Sequence, residues 1–127
     1  NPGCYAAEQA VAMPTISDSG SGHHLAGRDG LSKSEAGNLV AIPKIVFKTA
    51  SGLTESSQAV DRYSKTPQET IRHVVLEKTP DVYSTGKLCK ELGWDWHWRP
   101  YADEAIMSKD DIIVHHDLIN DVPHVRE

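Results

Sequence analysis

An aspartate in a loop of small residues is the feature of this sequence with the clearest chemistry. Residues 18–21 are Asp18-Ser19-Gly20-Ser21, and they follow a short apolar run. Gly20 allows a backbone N–H to point at the acid, and the Ser19 hydroxyl can hydrogen-bond to an opposing loop. Two carboxylates about 3 Å apart can share one proton and activate a water for peptide hydrolysis. The chain holds one such tetrapeptide, so the second Asp18 would come from another copy in a two-fold dimer.

Most of the elements that position this loop are predicted to be strands. Residues 10–16 form an apolar run that Pro14 makes an edge strand, and residues 1–9 are predicted to be a tail. Residues 40–49 and 54–60 predict a hairpin across the small residues of 50–53, and residues 70–77 predict a third β-rich run.

The second half of the chain predicts a helix and then more strands. Ser32 and Glu35 indicate either a capped helical turn, which we favour, or a loop. Residues 82–92 have apolar spacing close to a helical stripe, with Gly93 where a helix would end. Residues 94–98 alternate with period two, residues 105–114 predict a hairpin turning at Asp110-Asp111, and residues 115–127 predict a last short strand or an extended tail.

In this order the motifs resemble those of the retropepsins, and especially the protease segment of copia-like retroelement polyproteins. The resemblance covers about residues 10–125. Asp18-Ser19-Gly20-Ser21 fits the aspartic-protease pattern of Asp, Ser or Thr, Gly, and Ala or Ser. The hairpin at 47–54 is similar to the flap that closes over substrate. Residues 75–89 are similar to the stretch that ends in an apolar-Gly motif and enters the family's one helix.

The resemblance implies an all-β, retropepsin-like closed β barrel with one short helix, formed by residues 10–127. It also implies a homodimeric aspartic endopeptidase that processes a polyprotein with a water nucleophile and no cofactor. Asp18 would be catalytic, with Ser19 and Gly20 orienting the pair. The flap, residues 47–56, would bind substrate through Lys48, Thr49, Ala50, Ser51 and Gly52. A retroelement-encoded enzyme of this kind would be cytoplasmic.

An alternative function, from a different class, has the same retropepsin-like fold but no catalytic activity. Thr15, Ile16 and Ser17 stand where the family has large apolar residues, and Ser84-Thr85-Gly86 stands where it has its apolar-apolar-Gly triplet. The chain also starts at Asn1-Pro2-Gly3, like a piece excised from something longer. These departures are typical of an inactive, domesticated domain that serves as a structural subunit of a larger protein assembly.

Histidines and tryptophans offer two further kinds of site. The seven histidines include the adjacent pairs His23-His24 and His115-His116, which lack helical metal-ligand spacing, so we expect surface histidines that titrate near neutrality and no metal site. Three tryptophans at 94, 96 and 98 share one face of a strand. That face could stack a sugar or base, but we expect it to cover the core or a subunit interface.

The composition of the chain argues against several other classes of protein. Apolar residues make up 39% and charged residues 24%, which argues against both a disordered chain and a membrane protein. The net charge of -5, without a basic cluster, gives no case for nucleic acid, and no apolar run is long enough for a membrane span. Cys4 and Cys89 allow one disulfide at most and do not have zinc-site spacing.

Overall fold

The structure, a computed structural model, describes residues 14–49 and 52–126 of the 127-residue chain. The predicted tail at 1–9, Cys4, the start of the predicted first strand at 10–13, and the hairpin residues Ala50 and Ser51 lie outside the described residues. The strands are β1 (Ile16–Asp18), β2 (Leu25–Gly27), β3 (Val40–Thr49), β4 (Gly52–Ser64), β5 (Glu69–Leu76), β6 (Val82–Ser84), β7 (Asp95–His97), β8 (Glu104–Lys109), β9 (Ile112–Ile119) and β10 (Val122–Val125).

The described strands form one ten-stranded sheet in the order β3-β4-β5-β2-β6-β1-β10-β9-β8-β7. Most neighbours are antiparallel hairpin partners, but β1 runs parallel to β6 and β2 runs parallel to β5. These short parallel strands lie at the centre of the sheet because segments distant in sequence meet there. The central position of β1 differs from the edge strand that Pro14 predicted.

The protein is mostly β-sheet, as expected, but in the described residues the sheet is not closed into the barrel that the resemblance implied. No backbone ladder joins β3 to β7 there. Side chains nevertheless connect distant strands, because Glu69 on β5 pairs with Lys109 on β8 and accepts a hydrogen bond from the Trp94 indole. The sheet therefore curls around a shared interior without closing its hydrogen bonding.

The described residues also form two helices, α1 (Lys33–Ala36) and α2 (Thr85–Leu92), and one turn of 3-10 helix at Arg28–Gly30. Ser32 and Glu35 form a reciprocal capping box on α1, which confirms the predicted helical turn. The predicted helix at 82–92 begins later than expected, since residues 82–84 are strand β6 and Ser84 caps α2. Gly93, with a φ of 77°, ends α2 as predicted. Neither helix is long and apolar enough to cross a membrane, as judged on the described residues.

The main apolar core lies where α2 packs inside the curled sheet. Leu88 is its central residue, at 1% exposure, and it is joined by Ile71, Tyr83, Trp94, Met107, Val114 and Val125. A smaller cluster of Ala26, Val60 and Val75 packs beneath α1. Both clusters draw on β5, through Ile71 in the larger and Val75 in the smaller, and these two residues share one face of that strand.

Candidate functional site

Asp18 ends the central strand β1, and the chain turns sharply just after it. The Gly20 N–H donates to Asp18 Oδ1 at 2.7 Å, which is the backbone contact expected from the sequence, and the Ser21 N–H donates to the Asp18 carbonyl at 3.3 Å. A Cβ added at Gly20 would lie 3.2 Å from Asp18 Oδ1, so the loop is tight at this point. Asp18 remains exposed, and its carboxylate faces solvent at the mouth of the loop.

Ser84 fixes the loop from the neighbouring strand. It is paired in register with Asp18 across the parallel β1–β6 ladder, and its hydroxyl donates to the Ser21 carbonyl at 2.7 Å. The same hydroxyl accepts from the Lys87 N–H and so caps α2. One buried side chain therefore ties the Asp18 loop to the start of α2.

Two buried histidines fix the strands on either side of the loop. His24 Nδ1 accepts the Ser84 N–H at 3.0 Å, and His116 Nε2 lies 2.8 Å from the Ser17 hydroxyl. Burial is the main cause that lowers the pKa of each ring to about 4. The expectation that these histidines lie at the surface and titrate near neutrality is therefore wrong for His24 and His116, and also for His73, which is 1% exposed. Strands from across the sheet surround all three rings.

A cleft of about 600 Å³ opens above Asp18. Its floor is formed by Asp18 and residues 20–23, one wall is the β3–β4 hairpin with Phe47, Lys48 and Thr54, and the other wall is the segment at residues 76–79. His23 contacts Phe47 edge to face, with ring centroids 5.5 Å apart, so the loop and the hairpin touch. A volume of this size suits a few residues of an extended peptide.

Charge in the cleft is mixed. Glu77 is paired with Arg28 at 3.1 Å, and Lys48 and Lys78 line the opposite walls. In the part of the chain that the structure describes, no three His, Cys, Asp or Glu side chains cluster in a way that could bind a metal ion. The chemistry available at the cleft floor is that of a carboxylate, hydroxyls and backbone N–H groups.

The sequence-predicted site residues fall in two places in the described structure. Asp18 and Gly20 lie at the cleft floor and Lys48 lines the hairpin wall, whereas Ser19, in the same loop, lines a neighbouring groove and not the cleft. Thr49 and Gly52 pair at the hairpin end, where Gly52 has a φ of 121°, whereas Ala50 and Ser51 lie outside the described residues.

Sequence reasoning missed the residues that support the loop. Ser84 carried a signal, since it starts the Ser-Thr-Gly triplet just before the helix. His24 and His116 carried none that separates them from exposed histidines, because their burial depends on strands that pair only in the folded sheet.

Comparison with known proteins adds no relative: no family model, no curated protein and no solved structure matches this chain.

Close backbone packing beside the cleft gives a first prediction. A Cβ at Gly27 would lie 2.5 Å from the Thr79 carbonyl oxygen. This oxygen belongs to the backbone, so it cannot rotate away as a flexible side chain could. We expect Gly27→Ala to lower the free energy of unfolding by about 1–3 kcal/mol, measured by urea denaturation. Gly22→Ala is the matched control, since a Cβ there meets nothing within 4 Å. Equal stability of the two variants would contradict the close approach of β2 to residue 79.

Proposed function

We propose that this chain is an aspartic endopeptidase of retropepsin type, active as a homodimer in which each copy supplies one Asp18. The observation that carries the proposal is the position of Asp18. An exposed carboxylate lies in a glycine-containing loop, at the floor of a cleft whose opposite wall is a hairpin. A carboxylate in a tight loop below an open cleft supports the proposal, which also requires the second carboxylate that another copy would supply.

The reaction follows from two carboxyl groups that share one proton. The ionised Asp18 takes a proton from a water held between the two groups, and the water oxygen attacks the scissile carbonyl carbon. The protonated Asp18 of the second copy donates to the carbonyl oxygen as that bond opens. The tetrahedral intermediate then collapses and the C–N bond breaks. The leaving nitrogen takes a proton from the protonated Asp18, and a hydroxyl of the intermediate gives its proton to the other Asp18, so the dyad again holds one proton.

The hairpin is suited to hold the peptide over this dyad. Its strands β3 and β4 are ten and thirteen residues long, and Lys48 and Thr54 face the cleft from the wall above Asp18. An extended peptide can bind such a wall through backbone hydrogen bonds, as in strand addition. A hairpin that covers the dyad also keeps bulk water from the intermediate. Polyprotein processing is the role that the resemblance to retropepsins implies for such an endopeptidase.

A library digestion tests the proposed function directly. The purified chain is incubated with an unbiased peptide library between pH 5 and 7, with and without a chelator, over a wide range of protein concentration. We expect internal peptide bonds to be cleaved whether or not the chelator is present. We also expect specific activity to fall on dilution, because the monomer holds one Asp18. A folded chain that cleaves nothing under any condition would reject the protease and favour the assembly subunit.

A further inference from the structure

Two lysines line the cleft above Asp18, one on each of its walls. Lys48 lies on the β3–β4 hairpin, and Lys78 lies in the opposite segment at residues 76–79. Both side chains are exposed, and within the described ranges neither ammonium group has an ion-pair or hydrogen-bond partner. Each wall therefore offers the cleft a positive charge that the chain itself does not neutralise.

The register of the hairpin leaves Lys48 without an acidic neighbour. Lys48 is paired with Leu53 across the β3–β4 ladder, and Leu53 is apolar and 74% exposed. The next acid along β4 is Glu55, which forms an ion pair with Lys44 at 3.5 Å. The hairpin thus uses its own carboxylate elsewhere, and the Lys48 charge remains for a ligand.

The acids around Lys78 are also committed to other groups or lie apart from it. Glu77, its neighbour in sequence, is paired with Arg28 at 3.1 Å. Lys78 also borders a shallower depression together with Asp29 and Asp81, but in the described structure it forms an ion pair with neither. Its ammonium group is free to turn towards a carboxylate that enters the cleft.

The distribution of charge identifies the occupant of the cleft. The whole chain has a net charge of -5, so the two lysines are not part of a generally basic surface. The floor differs from the walls, because a pair of Asp18 carboxylates that shares one proton keeps one negative charge. An acidic side chain is therefore attracted to the walls and repelled from the floor.

We propose that the cleft selects extended peptides that carry aspartate or glutamate outside the two residues of the scissile bond, and that Lys48 and Lys78 bind these carboxylates. This inference rests on the proposed function, since it names the substrate class of the same cleft. Successive side chains of an extended peptide point in opposite directions, so a peptide between the walls can present a carboxylate to either lysine. Because lysine is a flexible point charge, the selection is for charge and not for one exact position.

Binding of peptides to Asp18→Asn tests the selection without cleavage. Three pools of fluorescein-labelled nonapeptides carry two Glu, two Gln or two Lys at random positions outside the central pair, with neutral residues elsewhere. Fluorescence anisotropy gives the dissociation constant of each pool. We expect the Glu pool to bind about tenfold more tightly than the Gln pool, and the Lys pool to bind most weakly. The difference should shrink in about 0.5 M salt, which screens exposed charges.

Removal of each lysine charge locates the selection. Lys48→Met and Lys78→Met, made singly and together in the Asp18→Asn chain, keep the length of the side chain at two exposed positions, so we expect the fold to be unchanged. The double variant should bind the Glu and Gln pools equally, and each single variant should lose part of the difference. Lys65→Met is the matched control, because Lys65 is exposed and has no ion pair within the described part of the chain, but does not line the cleft.

Binding by Asp18→Asn and cleavage by wild type separate this inference from the proposed function. Equal binding of the Glu and Gln pools, no binding of any pool, or a preference that survives in the double variant would overturn the inference. A preference that depends on the two lysines, in a chain whose wild type cleaves nothing, would support the acidic-peptide cleft and reject the protease. Cleavage of library peptides without enrichment of Asp or Glu would support the protease and reject the selection.

Discussion

Replacing Asp18 by Asn should abolish peptide cleavage, with kcat/KM lowered by at least about 10³-fold and the fold unchanged. The amide is nearly the same size as the carboxylate and keeps an oxygen to accept the Gly20 N–H, which is the side-chain contact that orders the loop. It cannot take a proton from water, so the dyad loses its general base. Initial rates on a peptide identified from the library, together with thermal unfolding of both proteins, measure the two expectations.

Asp121→Asn is the matched control for loss of a nearby carboxylate. Asp121 lines a groove of about 520 Å³ beside Asp18 but is outside the Asp18 loop, and its φ of 64° is a conformation that asparagine adopts readily. We expect this variant to retain most of the activity. Equal losses in the two variants would show that general electrostatics, and not the chemistry of Asp18, sets the rate.

Mixing wild-type chains with Asp18→Asn chains tests whether two copies share one active site. Inactive Asp18→Asn chains in tenfold excess should reduce wild-type activity about tenfold, because most wild-type copies then pair with a copy that lacks the acid. An enzyme that uses one Asp18 per active site would be unaffected by the excess. The dilution series on wild type alone tests the separate point that the active form is an oligomer.

The local sequence pattern predicted most of the strands, because each of these strands depends on residues that are neighbours in sequence. The β3–β4 hairpin, the run at β5 and the turn at Asp110, which has a φ of 53°, follow from alternation and from turn residues. The central strands β1, β2 and β6 are three residues each, too short to show a period. Their pairing depends on contacts across the whole chain, which no local window contains.

The same limit applies to the candidate site. The loop at Asp18 was predictable because residue type alone allows a tight turn around a carboxylate. The contacts of Ser84, His24 and His116 that support the loop were not, since each of these contacts joins residues between 60 and 99 positions apart in sequence. A histidine that is buried cannot be told from an exposed one by its residue type. The role of each histidine depends on its burial, which only the fold determines.

Acid should unfold this protein in a pH range set by its buried histidines. His24 and His116 have pKa values lowered from 6.5 to about 4, chiefly by burial, and burial also lowers the pKa of His73. For His24 the neighbours His73 and Lys87 lower the pKa further while Glu91 raises it; for His116 the neighbours His115 and Arg126 lower it. In the pH range between the native and the unfolded pKa values, the rings of the native protein are neutral, whereas the same rings in the unfolded chain are protonated.

The sign of the effect follows from this difference. Below pH 6.5 the unfolded state binds more protons than the native state, so stability falls as pH falls and the loss levels off near pH 4. A shift from 6.5 to about 4 costs about 3 kcal/mol for each of His24 and His116. Whole domains have about 5–15 kcal/mol of stability, so the two histidines remove a large part of it. The carboxylates with lowered pKa, such as Glu35 and Asp61, lose their contribution at lower pH, below about 4.5.

Urea denaturation at several pH values between 7.5 and 4.5 measures this loss. His24→Asn can keep an acceptor for the Ser84 N–H, and His116→Gln can keep one for the Ser17 hydroxyl, yet neither side chain titrates. We expect each variant to flatten the slope of unfolding free energy against pH by up to about 1.4 kcal/mol per pH unit, the equivalent of one proton. His97→Gln, a change at an exposed histidine, should keep the wild-type slope.

The prediction also links acid stability to the proposed reaction. Protonation of His24 at Nδ1 removes the acceptor of the Ser84 N–H, and Ser84 holds the Asp18 loop through the Ser21 carbonyl. Activity should therefore decline on the acid side together with the folded fraction, and His24→Asn should extend the active range to lower pH if the variant folds. Unchanged slopes in both histidine variants would mean that other groups control acid unfolding, and that these rings do not set the lower pH limit of the site.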